Sequence, residues 1–208
     1  MSVIVKICGI TNTDDALAAT ESGADALGFV FHELSPRYIP LERAAGIAHK
    51  LPAHIVKVGV FVDAPEELVL RAIAACGLNL LQFHGLESPD YCLQFGVMSM
   101  KAFRIKDAAS LQALGKYPTD AWLLDSYVPD RLGGTGEKFN WDLAREARRL
   151  GKPIFLAGGL NAENVADAVR QVQPYAVDVS SGVEATEGKK DPGKVRAFIN
   201  AAKRVETM

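Results

Sequence analysis

Short apolar segments rich in β-branched residues alternate with amphipathic segments of helical length from one end of this sequence to the other. The two kinds differ in period, about 2 residues for a strand and about 3.6 for a helix. Eight strand segments are found: Val3–Cys8, Ala26–Phe31, Val56–Val62, Leu78–Phe83, Ser99–Ile105, Ala121–Asp125, Pro153–Ala157 and Ala176–Ser180. The helical segments are Asp14–Ser22, Leu41–Lys50, Pro65–Ala75, Pro89–Phe95, Ala108–Leu114, Asp142–Leu150, Glu163–Gln171 and Pro192–Val205.

This repeated order of strand and helix predicts an α/β protein with parallel strands. Eight units with short connections favour a closed (β/α)₈ TIM barrel, and an open doubly wound sheet is the alternative. The connections leave no room for a second domain. We therefore predict a single barrel domain over residues 1–208.

Composition narrows the class of function. The chain has 208 residues, 49% of them hydrophobic, and a formal net charge of -2 without any run of like charges. These values predict a sizeable core and no nucleic-acid partner, so the expected partner is a small molecule. The first eight residues lack a signal-peptide pattern and no long apolar run is found, which predicts a cytoplasmic protein that does not enter a membrane.

The cysteines favour reduced thiols. Cys8, Cys76 and Cys92 are odd in number and lack the spacing of a disulfide framework or a zinc site. We expect Cys76 and Cys92 to be buried core residues. No metal and no organic cofactor is predicted.

In a (β/α)₈ barrel the chemistry lies at the carboxyl ends of the strands. Strand seven ends at Gly158 and Gly159, and strand eight ends in Ser180, Ser181 and Gly182. Glycine turns let main-chain N–H groups approach an anion closely, and the loops after strands seven and eight are the usual phosphate site of this barrel. These residues are predicted to bind a phosphate; tight turns without a ligand are the alternative.

Cys8 ends the first strand and Asp125 the sixth, so both side chains should reach the barrel mouth. Isomerisation by proton transfer needs a base and an acid, and these two residues are the candidates. A cysteine needs surroundings that favour its thiolate, and an aspartate needs a raised pKa to donate a proton at neutral pH. Lys6 lies on the same strand face as Cys8; we favour its pairing with Asp178 over direct catalysis, and the pair could tune Cys8.

Two loops add further candidates. Arg37 follows strand two, where its guanidinium could hold a substrate carboxylate through two hydrogen bonds. Gly133, Gly134, Thr135 and Gly136 follow strand six and predict a hinged lid, with a passive loop as the alternative.

Together these segments resemble the phosphoribosylanthranilate isomerase family of tryptophan biosynthesis. The matching stretches are Val5–Thr11, Gly28–Phe31, Ser35–Arg37, Gln82–Gly85, Leu124–Ser126, Gly133–Gly136, Ala157–Leu160 and Val177–Glu184. The resemblance implies an isomerase that performs an Amadori rearrangement of N-(5'-phosphoribosyl)anthranilate. It implies that Cys8 is the general base, Asp125 the general acid and Arg37 the ligand of the anthranilate carboxylate.

The resemblance leaves some points open. His84 is expected either to contact the substrate or to bond the backbone. A related isomerase of the histidine-biosynthesis type would carry an aspartate where Cys8 stands, and a barrel that only binds phosphosugars would leave the acid and base positions unconstrained. The sequence is compatible with a monomer or a homodimer.

Overall fold

The strands of the chain close into one parallel barrel. The computed structural model describes residues 2–126 and 141–205. Its strands follow one another in the order β1 to β8, and β1 pairs with β8 to complete the ring. The strands are β1 Ile4–Cys8, β2 Ala26–Val30, β3 Val56–Phe61, β4 Leu80–Phe83, β5 Met98–Ile105, β6 Ala121–Ser126, β7 Ile154–Leu156 and β8 Ala176–Val179. The predicted (β/α)₈ barrel is confirmed, and the open sheet is wrong.

Helices follow the strands as the periodicity predicts. They are α1 Thr13–Glu21, α2 Leu41–Ala48, α3 Glu66–Cys76, α4 Pro89–Leu93, α5 Trp141–Arg148, α6 Val165–Val172 and α7 Pro192–Lys203. Start signals account for two of them: the side chain of Ser88 accepts from the N–H of Tyr91, and that of Asp191 from the N–H of Lys194.

Two parts of the prediction need correction. The helix expected at Ala108–Leu114 is a 3₁₀ helix, Ala108–Lys116, because over so short a segment the i+3 and i+4 patterns look alike in the sequence. A small antiparallel hairpin also lies between β8 and α7, formed by β9 Glu184–Thr186 and β10 Lys189–Lys190. These strands are too short to show an alternating pattern.

The register of the barrel separates a lower apolar interior from a polar mouth. Alternate residues of each strand face inward, and neighbours such as Lys6 and Asp178 stand side by side across the β1–β8 seam. The interior core contains Ala26, Val58, Leu80, Met100, Ala102, Ala121, Leu123, Phe155, Ala157 and Ala176. A second, larger core lies between the strands and the helices. The barrel is therefore a packed scaffold with its polar mouth at the carboxyl ends of its strands.

A buried ion pair outside the barrel interior stabilises loops at this mouth. The Nζ of Lys101 lies 2.8 Å from a carboxylate oxygen of Glu87 and donates to the carbonyl oxygen of Gly85 at 2.6 Å. Glu87 also accepts from the N–H groups of Asp63 and Gly85, each at 2.9 Å. The pair thus joins the loops after β3 and β4 to β5.

Among the residues that the structure describes, no helix is long and apolar enough to span a bilayer. The predicted lid, Gly133, Gly134, Thr135 and Gly136, lies outside the described residues.

We expect Lys101→Met to lower the free energy of unfolding by about 3–5 kcal/mol, because removing one partner leaves Glu87 charged and buried. Urea denaturation of the variant measures the change. The control is Arg71→Met, which removes an exposed pair with Glu42 at 4.0 Å and should cost no more than about 1 kcal/mol. Equal losses from the two variants would contradict the structural role of the buried pair.

Candidate active site

A cavity at the carboxyl ends of the strands brings the candidate residues together. Its volume of about 180 Å³ far exceeds the roughly 10–15 Å³ that one water needs, so it can hold a small organic molecule. The lining includes Cys8, Arg37, His84, Asp125, Gly158, Gly159, Ser180, Ser181 and Gly182. All the predicted site residues that lie among the described residues therefore line one cavity.

The sulfur of Cys8 lies in an apolar part of this cavity. Cys8 is 8% exposed and clusters with Val30 of β2 and Val60 of β3. Burial raises the pKa of the Cys8 thiol above its ordinary value, and the positive charge of Lys6 opposes that shift without cancelling it. The thiol is therefore protonated at neutral pH, and its conjugate thiolate is a strong base.

Lys6 and Asp178 form the ion pair that the barrel closure predicts. The Lys6 Nζ lies 2.8 Å from Asp178 Oδ1, and the two side chains are 0% and 9% exposed. Burial alone would lower the pKa of Lys6, but Asp178 and Cys8 outweigh it and the pKa is raised. Lys6 is thus a fixed positive charge beneath Cys8, and its pairing with Asp178 is confirmed.

His84 is neutral and its ring orientation is set by a neighbour. Burial, with the positive charge of Arg104 second, lowers the pKa of His84 to about 3. Its Nδ1 lies 3.0 Å from Gln82 Nε2, and the amide donates, so the ring proton is assigned to Nε2. That nitrogen lies 3.7 Å from Asp125 Oδ2, and a neutral ring makes this a polar contact rather than an ion pair. The side chain therefore faces the proposed acid.

Asp125 is the inward residue at the end of β6. It is 7% exposed and lines the cavity. Its register partner on β5 is Arg104, which also lines the cavity. The carboxyl is therefore largely withdrawn from bulk water and still open to a ligand.

Arg37 is held by a carboxylate that the sequence analysis did not assign. Its Nε and Nη2 donate to the two carboxylate oxygens of Glu184, each at 2.8 Å. Burial tends to raise the pKa of Glu184, but the Arg37 and Lys190 contacts bring it below its ordinary value, so the group is ionised. Arg37 also lines the cavity.

The two glycine turns are in direct contact. A Cβ added at Gly182 would overlap the carbonyl oxygen of Leu160, so only glycine fits there. On the other side of Leu160, Asn164 donates to the carbonyl oxygen of Gly159 at 2.9 Å. The loops after β7 and β8 therefore form one continuous rim of main chain.

Four residues of the site were missed as site residues: Gln82, Arg104, Glu184 and Lys190. Gln82 and Arg104 end strands on the inward face, so strand alternation could have found them. Glu184 lay within a stretch that matched the family, but no role was assigned to it. Lys190 gave no signal, because it lies in a hairpin that the pattern does not show.

A thiol and a carboxyl that line one cavity at the mouth of a closed (β/α)₈ barrel are typical of the class of barrel enzymes that work by proton transfer. The family model of N-(5'-phosphoribosyl)anthranilate (PRA) isomerase matches residues 5–201. The chain belongs to the N-(5'-phosphoribosyl)anthranilate isomerase family.

Individual relatives agree along their whole length. The N-(5'-phosphoribosyl)anthranilate isomerase of Citrifermentans bemidjiense is 56% identical over 97% of either chain. The crystal structure of phosphoribosyl anthranilate isomerase from Thermotoga maritima matches with a TM-score of 0.92 and 42% identity, over 98% of this chain and 100% of that one. A structure of such an isomerase in complex with reduced 1-(o-carboxyphenylamino)-1-deoxyribulose 5-phosphate matches with a TM-score of 0.89, 41% identity and the same coverage.

We expect alkylation of Cys8 by iodoacetamide to have its pH midpoint above the value of about 8.5 that is usual for a cysteine, because burial favours the neutral thiol. Peptide-resolved mass spectrometry over a pH series gives the midpoint. The same peptide in urea-unfolded protein is the control and should titrate at the ordinary value. A folded midpoint at or below that of the unfolded chain would show that Lys6 dominates the site.

Proposed function

We propose that this chain catalyses the Amadori rearrangement of N-(5'-phosphoribosyl)anthranilate to 1-(2-carboxyphenylamino)-1-deoxyribulose 5-phosphate, by general acid–base catalysis with Asp125 and Cys8. The observation that carries the proposal is that the Cys8 thiol and the Asp125 carboxyl line one cavity together with Arg37 and two glycine turns. Such a site can hold a substrate with an anion at each end and reacting carbons between them.

The two ends of the substrate have separate partners in this proposal. The main chain of Gly158 and Gly159, with Ser180 to Gly182, binds the phosphate, as is usual after strands seven and eight of such barrels. Arg37 binds the anthranilate carboxylate with the part of its guanidinium that Glu184 leaves free. Support comes from the shared cavity and from the phosphorylated, carboxylated compound in the relative's complex. Two anchors at opposite ends would orient the ribose ring over the acid and the base.

Asp125 acts first in this mechanism, as the general acid. Its carboxyl protonates the ribose ring oxygen, the bond from that oxygen to C1' breaks, and the ring opens to a Schiff base. His84, with its ring proton on Nε2 facing Asp125, contacts the substrate or the acid.

Cys8 then removes the proton from C2' of the Schiff base. The electron pair moves toward nitrogen, and the resulting enolamine tautomerises to the ketone product. The reacting form of Cys8 is the thiolate, so the thiol first gives up its proton to solvent, and the nearby positive charge of Lys6 stabilises the anion that remains. Apolar contacts with Val30 and Val60 keep that thiolate poorly solvated and therefore strongly basic.

The setting of the reaction follows from the same proposal. The product would serve tryptophan biosynthesis in the cytoplasm, where the free thiol of Cys8 would stay reduced. The glycine segment from Gly133 to Gly136, directly after β6, is proposed as the lid that excludes water during ring opening. Monomer and homodimer both remain predictions for the assembly.

The direct test follows anthranilate-type fluorescence after the protein is added to freshly made N-(5'-phosphoribosyl)anthranilate with a chelator present. Turnover is expected despite the chelator, because the proposed acid and base are side chains and no proposed step uses a metal ion. Cys8→Ala and Asp125→Asn should each lower kcat by about 10²–10⁴ while ligand affinity changes only a few-fold.

The matched control is Cys76→Ala, which removes a thiol that is buried at the end of α3. Its turnover should equal that of the unaltered protein. Wild-type rates from the Cys8 or Asp125 variant would refute the assigned roles, and no turnover by the unaltered protein would refute the function.

The phosphate site has its own test in Gly182→Ala. The added methyl group would displace the Leu160 carbonyl, so we expect KM to rise about tenfold or more as charge-assisted main-chain hydrogen bonds are lost. Inorganic phosphate should inhibit the unaltered protein competitively and the variant more weakly. Gly46→Ala on α2, where an added Cβ has open space, is the control. An unchanged KM for Gly182→Ala would place the phosphate elsewhere.

A further inference from the structure

The hairpin of β9 and β10 packs against the loops that follow β1 and β2. The hydroxyl of Thr11 donates to the carbonyl oxygen of Gly188, which lies between the two hairpin strands. A Cβ at Gly188 would lie 2.9 Å from the carbonyl oxygen of Pro36, so the hairpin backbone also touches the loop that carries Arg37. The hairpin is therefore placed to control the position of Arg37.

Glu184 and Lys190, one from each strand of the hairpin, form a buried charged network with Arg37. Besides its two bonds with Arg37, Glu184 accepts from Lys190 Nζ at 2.9 Å. Glu184 is 7% exposed and Lys190 is 2% exposed. Lys190 Nζ also donates to the carbonyl oxygen of Ser180 at 3.2 Å. Glu184 and Lys190 are thus each held by at least one hydrogen bond that does not involve Arg37.

The geometry of the pair decides which part of Arg37 a ligand can meet. An arginine has five N–H donors, and Glu184 takes one on Nε and one on Nη2. The end-on edge, formed by Nη1 and the second N–H of Nη2, makes no bond with Glu184 that would occupy it, and Arg37 lines the cavity. Gly9 fixes the stem on the other side, since a Cβ there would lie only 2.7 Å from Arg37 Cδ and its φ of 77° also favours glycine.

We propose that Glu184, itself anchored by Lys190, is a positioning residue that holds Arg37 so that its end-on edge meets the carboxylate of the substrate. The inference rests on the proposed function, because it deepens the role of Arg37 there. An unrestrained arginine must lose rotamer freedom when it binds, and pre-organisation by Glu184 removes that cost. Selectivity for a carboxylated aromatic amine therefore depends on a residue that never touches the substrate.

The test compares two stable ligands, the reduced product 1-(o-carboxyphenylamino)-1-deoxyribulose 5-phosphate and the same compound made from aniline. The dissociation constant of the aniline compound divided by that of the reduced product, measured by calorimetry, reports recognition of the carboxylate and needs no turnover. We expect Glu184→Gln to lower this ratio by about tenfold, since a charge-assisted interaction loses its geometry. Affinity for the aniline compound should change by less than about threefold.

The control variant is Glu187→Gln, which removes the same charge from an exposed position of the same hairpin and should keep the ratio. Glu184→Asp keeps the charge but shortens the reach, so an intermediate ratio is expected; it replaces Glu184→Gln if that variant does not fold. In an Arg37→Lys background, Glu184→Gln should have little further effect on the ratio.

An unchanged or increased ratio in Glu184→Gln would overturn the inference, and an increase would mean that Glu184 competes with the substrate carboxylate. An unaltered protein that prefers neither ligand would overturn the carboxylate role of Arg37 and this inference with it. Turnover of the natural substrate with an unchanged ratio in Glu184→Gln would overturn the inference alone.

Discussion

Closure of the sheet between β1 and β8 is the constraint on which the site depends. It pairs Lys6 with Asp178, residues that stand 172 positions apart in the chain, at 2.8 Å in the barrel interior. The ion pair places the positive charge of Lys6 directly beneath Cys8. The carboxylate of Asp178 compensates that charge, so Lys6 stays charged although it is buried. The same closure brings the loop after β8 next to the loops after β1 and β2. The proposed base, phosphate rim and carboxylate anchor thus belong to one seam.

Ion pairs between buried charges recur around the mouth of the barrel. Lys6 meets Asp178, Arg37 and Lys190 meet Glu184, and Lys101 meets Glu87. A single buried charge would be costly, whereas a paired one constrains geometry, because each partner has a restricted set of favourable positions. The loops of the mouth are therefore joined by directional contacts, which suits a site that must hold an acid and a base at fixed positions.

The proposed acid and base lie in different surroundings within the cavity. Cys8 lies among apolar residues with Lys6 beneath it, and burial holds its pKa high. Asp125 lies beside a neutral histidine, with Arg104 next to it in the β-ladder. Neighbouring groups of different polarity allow one small cavity to keep a thiol and a carboxyl in distinct roles.

Much of this arrangement was predictable from the sequence. Periodicity gave the order of strands and helices and the closed barrel, and strand ends located Cys8, Asp125 and the two glycine turns. Even Lys6 and Asp178 could be paired, since both are inward residues of strands that must meet when the ring closes. The 3₁₀ helix at Ala108–Lys116 and the β9–β10 hairpin were not predictable, because short segments carry too little pattern.

The sequence by itself determined the scaffold and the residue types at its mouth, since strand and helix patterns are set by neighbours in the chain. Only the tertiary structure decided that Glu184 holds Arg37 across 147 positions, that Gln82 orients His84, and that burial outweighs Lys6 in setting the pKa of Cys8. Side-chain partners and desolvation depend on which loops meet in space and how closely they pack, and no local pattern encodes that.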